Sequence, residues 1–75
     1  MYSIDLHGMS HKDAKIEVEE TLLASTTLGS FEFEFITGKS KEMRSIVVNI
    51  CKEYEFSYYV PADNQGKIVV TYFNL

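Results

Sequence analysis

The chain has 75 residues, 45% of them hydrophobic, and a net charge of −4 from seven basic and eleven acidic residues. This length allows one domain, residues 1–75, and the composition is that of a folded protein rather than a disordered segment. No apolar run is long enough to cross a membrane, and the first residues lack the basic and apolar regions of a signal peptide. Because one cysteine cannot form an internal disulfide, we expect a cytoplasmic protein. We also expect the protein to be a monomer.

The first half of the chain predicts a strand followed by a helix. Residues 2–7, "YSIDLH", alternate between apolar and polar side chains, which is typical of a half-buried strand. Asp5 and His7 fall on its polar side, and Gly8 ends it. Ser10 is a candidate N-cap for a helix of three to four turns. The apolar stripe of this helix is Ala14, Val18 and Leu22.

The second half predicts a strand, a helix and a hairpin. Residues 31–36, "FEFEFI", alternate with the phenylalanines toward the core, and Ser40 is a candidate cap for the next helix. The strongest helical periodicity in the chain is that of Met43, Ile46, Val47, Ile50, Cys51 and Tyr54. "FSYYV" and "KIVVTYF" predict two strands joined by the turn "ADNQG", as in a hairpin.

The element order is therefore β-α-β-α-β-β, an α/β chain that forms an α+β two-layer sandwich. Right-handed crossovers place both helices on one face of a four-stranded mixed sheet. The other face is left open, which suits the polar side chains of the first two strands, Asp5, His7, Glu32 and Glu34.

Charge is distributed unevenly along the chain. Residues 13–36 hold six carboxylates and one lysine, a net charge of −5, whereas residues 37–52 hold four basic residues and one carboxylate, a net charge of +3. The overall acidity argues against a nucleic-acid ligand, which basic proteins usually bind. The basic segment, residues 37–52, is the one stretch that favours a phosphate partner, although ordinary solvated charge explains it equally well.

Near its start, just after the predicted strand, the basic segment contains Gly38-Lys39-Ser40. A strand followed by Gly-Lys-Ser resembles the phosphate-binding loop of an ATPase. That loop requires G-x-x-x-x-G-K-[ST], and Phe33 stands where its first glycine belongs. We therefore expect no ATP or GTP binding. A strand, a glycine turn and a helix N-terminus remain, where backbone N–H groups and Lys39 can receive an anion. A plain turn with a serine cap is the alternative.

A second candidate site is the pair Asp5 and His7. Two residues apart on a strand, their side chains leave the same face, so the carboxylate can orient the imidazole for general acid or base catalysis. An Asp-x-His pair is a weak signal by itself, because most such pairs are ordinary surface residues.

The two sites together resemble the small MutS-related (Smr) domain family. Its first hallmark, D-L-H-G, is complete from Asp5 to Gly8. Its second, H/T-G-x-G, matches Thr37, Gly38 and Lys39, but Ser40 replaces the last glycine. The resemblance extends to "GKIVV" at residues 66–70, and the family's βαβαββ fold, similar to the C-terminal domain of translation initiation factor three, agrees with the element order above.

The resemblance implies nucleic acid, DNA or RNA, as the partner and an endonuclease as the activity. Asp5 and His7 would be catalytic, His7 as acid or base and Asp5 as its orienting partner or a metal ligand. The implied nucleic-acid-binding residues are Thr37, Gly38, Lys39, Ser40, Lys41 and Arg44. RNA can supply its own 2′-hydroxyl as nucleophile, whereas DNA cleavage by water makes Mg²⁺ more useful. The alternative is a non-catalytic adaptor that docks on a protein or a ribosome.

Four further residues carry weaker predictions. His11 is expected to face solvent, and Cys51 to lie in the core, so that His7, His11 and Cys51 form no zinc site. Tyr58 and Tyr59 point to opposite faces of their strand. One is expected in the core, and the other either packs across the strands or stacks on an unpaired base.

Overall fold

The computed structural model describes residues 2–73, which form four strands and two helices in the predicted order. The elements are β1 (Tyr2–Asp5), α1 (His11–Thr26), β2 (Phe31–Ile36), α2 (Lys41–Tyr54), β3 (Ser57–Tyr59) and β4 (Lys67–Tyr72). Neither helix in this range combines the length and the apolar composition that a membrane span needs.

The four strands form one mixed sheet in the order β1-β2-β4-β3. β1 and β2 are parallel, and Asp5 lies beside Ile36 at the end of the pair. β4 is antiparallel to both of its neighbours, with Ile36 opposite Lys67. Since parallel strands end at the same edge of a sheet, the turns after β1 and β2 lie side by side, and the start of β4 lies next to them.

Both helices cover the same face of the sheet, as predicted. The apolar stripe of α1 and that of α2 meet Phe35, Ile68 and Val70 in one buried cluster. These three residues share a face because Phe35 pairs with Ile68, and Phe33 pairs with Val70 two residues along. The helices are also joined at their polar rims, where the Tyr54 hydroxyl donates to Glu19 Oε2 at 2.9 Å.

Serine caps begin both helices. Ser10 Oγ accepts the Asp13 N–H, and Ser40 Oγ accepts the Met43 N–H, each at 3.1 Å. Such a bond satisfies one of the backbone donors that the first turn of a helix leaves unpaired. The two N-termini predicted from the serines are therefore confirmed, and α2 begins at Lys41, three residues after Gly38.

The open face carries a polar row across three strands. Glu34 accepts a hydrogen bond from Ser3 Oγ at 2.7 Å and forms an ion pair with Lys67 at 2.7 Å. The contact with Lys67, followed by the hydrogen bond from Ser3, lowers the pKa of the Glu34 carboxyl. The same contact raises the pKa of the Lys67 amine. Val69 lies in register beside Glu34 on this face and is nonetheless 2% exposed.

The expectation that one tyrosine of β3 is in the core was wrong. Tyr58 is 37% exposed and Tyr59 is 50% exposed. β3 is an edge strand of only three residues, and all three are exposed. An edge strand has a neighbour on one side only, so even the tyrosine on the helix side, which pairs with Val70, remains half uncovered.

Candidate nucleic-acid interface

The D-L-H-G motif forms a tight turn after β1. The N–H of Met9 donates to the carbonyl of Leu6 at 3.1 Å, and Gly8 has a φ of +88°. A positive φ at the third position is what a type II turn requires, and glycine adopts it without strain. Leu6 is fully buried beneath this turn, whereas His7 is exposed.

Asp5 contacts the backbone of His7, not its imidazole. Its Oδ1 accepts the His7 N–H at 2.8 Å, a local bond typical of aspartate two residues before its donor. The strand ends at Asp5, so the prediction that His7 still belongs to β1 and shares its polar face was wrong. Asp5 therefore orients His7 by fixing the turn that carries it.

The second motif is held by a glycine that lies far along the chain. The carbonyl of Gly66 accepts the N–H groups of Thr37 and Gly38, at 2.8 and 2.9 Å. The Thr37 hydroxyl donates toward the carbonyls of Gly38 and Gly66, at 3.1 and 3.3 Å. Thr37 is only 1% exposed, and its side chain shapes the turn; its role as a binding residue stays a prediction.

The two motifs meet at His7 and Gly38. Gly38 has a φ of +63°, and a Cβ built on it would lie 3.3 Å from His7 Cδ2. The imidazole is thus placed beside the turn that leads into α2. Glycine is the residue that can adopt this positive φ without strain and leave the His7 imidazole where it is.

A cleft of about 660 Å³ opens next to this contact, between the N-terminus of α2 and the β3–β4 loop (residues 60–66). We call it the α2–β4 cleft. Its lining residues are Ile36, Gly38, Lys39, Lys41, Arg44, Asp63, Asn64, Gln65 and Gly66. Four of the six predicted binding residues, Gly38, Lys39, Lys41 and Arg44, therefore share one cavity, and both lysines are exposed.

The N-terminus of α2 can bind an anion beside these lysines. Ser40 accepts the N–H of Met43 through its side chain and that of Arg44 through its carbonyl, at 3.1 Å each. The first-turn N–H groups of Lys41 and Glu42 are left for solvent or a ligand. Ser40 does not line the cleft, and its Oγ serves the helix, which gives a structural reason for serine at this position of the motif.

Arg44 spans the cleft from α2 to the β3–β4 loop. Its Nη2 donates to the carbonyl of Gln65 at 2.9 Å, and its Nε is buried without a hydrogen-bond partner. A buried unpaired donor on a charged group is costly, and an anionic oxygen would relieve that cost. Arg44 thus has one donor, Nη2, in a hydrogen bond and another, Nε, without an acceptor.

The described residues offer no ready metal centre. Within residues 2–73, no group of three or more histidine, cysteine, aspartate or glutamate side chains is close enough to hold an ion. His11 is exposed at the start of α1, and Cys51 is fully buried in α2, both as predicted. Burial raises the pKa of the Cys51 thiol to about 11.

The sequence did not reveal the role of the β3–β4 loop, which it predicted only as a turn. In the structure, Asn64 Oδ1 accepts the Gly66 N–H at 2.9 Å, and Gly66 in turn holds Thr37 and Gly38. The signal that pointed to this loop was Gly66, the first residue of the "GKIVV" stretch in the family resemblance. Its contact with the second motif depends on strand pairing, which local sequence does not display.

Comparison with known proteins gives one finding about the family. No curated protein and no solved structure gave a significant match. The sequence model of the Smr domain family matches residues 4–72, which is nearly the whole chain and includes both turns and the β3–β4 loop. The chain therefore belongs to the Smr domain family.

Proposed function

We propose that this chain is an endonuclease that binds a nucleic-acid strand in the α2–β4 cleft and cleaves one of its phosphodiester bonds. At the level of the family, Smr domains are nucleic-acid-binding, nuclease-like domains, which supports the class of ligand. The single observation that carries the proposal is the approach of His7 to Gly38. This approach supports the proposal because it brings an imidazole next to the turn that leads to the N-terminus of α2 and carries the exposed Lys39.

In this proposal, the phosphate binds where α2 begins. Lys39 and Lys41 supply positive charge, and the N–H groups of Lys41 and Glu42 supply donors at the positive end of the helix dipole. Donors fixed in advance stabilise the charge that builds up on the phosphate oxygens during cleavage. The Nε of Arg44, which is buried without a hydrogen-bond partner, is a further donor at the cleft.

His7 acts in this proposal as the general acid or base. In phosphodiester cleavage the attacking oxygen loses a proton and the leaving oxygen gains one; an exposed imidazole can carry out either transfer, and water carries out the other. Asp5 acts through the backbone, because its bond to the His7 N–H sets the turn and thereby the position of the ring. With RNA, the 2′-hydroxyl supplies the attacking oxygen; with DNA, water does.

The test compares wild-type protein with His7→Ala on three substrates: single-stranded RNA, duplex RNA and supercoiled DNA. Each is incubated with Mg²⁺ and with a chelator. We expect wild-type protein to cleave at least one substrate and His7→Ala to cleave it about a hundredfold more slowly, the usual scale for a general acid or base. Circular dichroism should show the same fold for both, because His7 is exposed.

The matched control is His11→Ala, which removes an exposed histidine at the start of α1. It should cleave at the wild-type rate. Equal rates for wild-type protein and folded His7→Ala would refute the catalytic role. Binding without any cleavage would leave the adaptor, which the net charge of −4 favours, as the better description. ATP and GTP should not compete for the site at micromolar concentration, because Phe33 occupies the place of the required glycine.

A further inference from the structure

The α2–β4 cleft has two chemically different walls. The α2 wall presents Lys39 and Lys41, whereas the loop wall presents the carboxylate of Asp63. A carboxylate repels a phosphate, so a strand bound in the cleft must place its backbone against the lysines. Whatever part of the nucleotide reaches Asp63 has to be a hydrogen-bond donor, because an ionised carboxylate only accepts.

The loop that carries Asp63 is closed by the Asn64 N–H, which donates to the Pro61 carbonyl at 3.2 Å, and is fixed further by two contacts that follow Asp63. Asn64 uses its Oδ1 for the Gly66 N–H, and the Gln65 carbonyl accepts from Arg44. Lys67, the nearest cation along the chain, forms its ion pair with Glu34. Within residues 2–73, no ion pair includes Asp63. Its exposed carboxylate therefore lines the cleft without an ion-pair partner.

The donor pattern of the bases decides which of them can meet a carboxylate face to face. Guanine presents two adjacent donors, N1–H and the N2 amino group, which match the two carboxylate oxygens. Adenine and cytosine place a ring acceptor beside their amino group, and uracil flanks its single N–H with carbonyls. Those acceptors would point at the second carboxylate oxygen and be repelled by it.

We propose that the α2–β4 cleft selects a guanine within a bound nucleic-acid strand, with Asp63 accepting from the Watson–Crick edge of the base while Lys39 and Lys41 hold phosphates of the strand. The cleft is large enough, since about 660 Å³ falls within the usual range of about 300–1,000 Å³ for small-molecule sites. This inference rests on the proposed nucleic-acid function and adds the base that the site reads. Asp63 is then a specificity residue and takes no part in bond cleavage.

The test measures the affinity of wild-type protein for four oligouridine octamers that differ only in the central base, guanine, adenine, cytosine or uracil. We expect the guanine octamer to bind about tenfold more tightly than the other three, the scale of one bidentate contact to a base. Asp63→Asn should abolish this preference. It should also bind oligouridine more tightly than wild-type protein does, because it removes a negative charge from the cleft.

Replacing the central guanine by hypoxanthine tests the contact at the level of single atoms. Hypoxanthine keeps N1–H and lacks the N2 amino group, so wild-type protein should lose part of its preference and Asp63→Asn should not distinguish the two bases. The matched control is Glu20→Gln, which removes the same charge from the exposed surface of α1 and should keep the guanine preference.

Two results would overturn the inference: equal binding of all four octamers by wild-type protein, or a guanine preference that persists in Asp63→Asn. Failure of the proposed function gives a different result. In that case, wild-type protein binds none of the octamers, or a Lys39→Ala/Lys41→Ala variant binds oligouridine as tightly as wild-type protein does.

Discussion

The imidazole Cδ2 of His7 lies 3.3 Å from the point that a Cβ on Gly38 would occupy. The two residues belong to separate turns, one after β1 and one after β2, which the parallel pairing of these strands brings to the same edge of the sheet. Glycine at position 38 therefore has two functions. It adopts a positive φ, and it leaves room for the ring whose position the proposed chemistry depends on.

Gly38→Ala and Gly8→Ala separate these two functions. Both put alanine at a positive φ, so we expect each to lower the free energy of unfolding by roughly 1–2 kcal/mol in denaturant titrations. Only Gly38→Ala also meets a side chain, because the space beside Gly8 is open. It alone should shift the NMR resonance of the His7 Cδ2–H group and slow cleavage more than its loss of stability explains. Equal ring shifts in both variants would contradict this.

Asp5 is predicted to act through its acceptor oxygen rather than through its charge. Asp5→Asn keeps an oxygen for the His7 N–H, so cleavage should fall only severalfold. Asp5→Ala removes that acceptor and leaves the His7 N–H to water, so the turn is held less firmly and cleavage should fall further. Initial rates for the two variants and His7→Ala decide the matter. A loss in Asp5→Asn as large as in His7→Ala would mean that the negative charge itself is needed, as for a metal ligand.

The lysines of the α2–β4 cleft are predicted to contact phosphate. Lys39→Ala and Lys41→Ala should each weaken binding of every sequence and reduce the slope of log K against log salt concentration by about one. Arg44→Ala should weaken binding as well, and it should also destabilise the β3–β4 loop by removing the bond to Gln65. Lys12→Ala, on α1, is the control and should leave the slope unchanged. Fluorescence anisotropy at several salt concentrations measures all four.

Cys51 is predicted to be unreactive in the folded protein. Its thiol is fully buried, and burial raises its pKa to about 11, so little of the reactive thiolate forms at pH 8. Iodoacetamide should label it slowly in buffer and rapidly in denaturant. The folded state favours the protonated thiol, so this contribution to stability is complete below the unfolded pKa of about 8.5 and is lost as pH rises through about 11. The difference in unfolding free energy between wild-type protein and Cys51→Ala should shrink over that range.

Much of the fold follows from local pattern. The alternation in β2 and the four-residue spacing in α1 each identify a buried face, and Ser10 and Ser40 mark where the helices begin. Val69 and Tyr58 are exceptions for a shared reason. Exposure depends on the neighbours across the sheet, so a residue on the open face can be covered, and one on the helix side of an edge strand can be left uncovered.

The candidate site was predictable in its residues but not in their contacts. Both motifs were visible in the sequence. The parallel pairing of β1 and β2 brings the two motifs together. That Asp5 binds the backbone of His7, and that Thr37 is buried, depends on turn geometry that residue type leaves undetermined. The contribution of Gly66 depends on β4 inserting between β2 and β3, which is a property of the whole sheet.

The position of β4 means that the cleft can form only after β4 has been synthesised. β4 is the last strand in the chain, yet it lies inside the sheet, and the residue just before it supplies the carbonyl that closes the turn at Thr37 and Gly38. A nascent chain synthesised only as far as β3 therefore contains both motifs but lacks residues 63–66, which line the cleft. The proposed nuclease activity therefore requires β4 to have been synthesised and to have paired with β2.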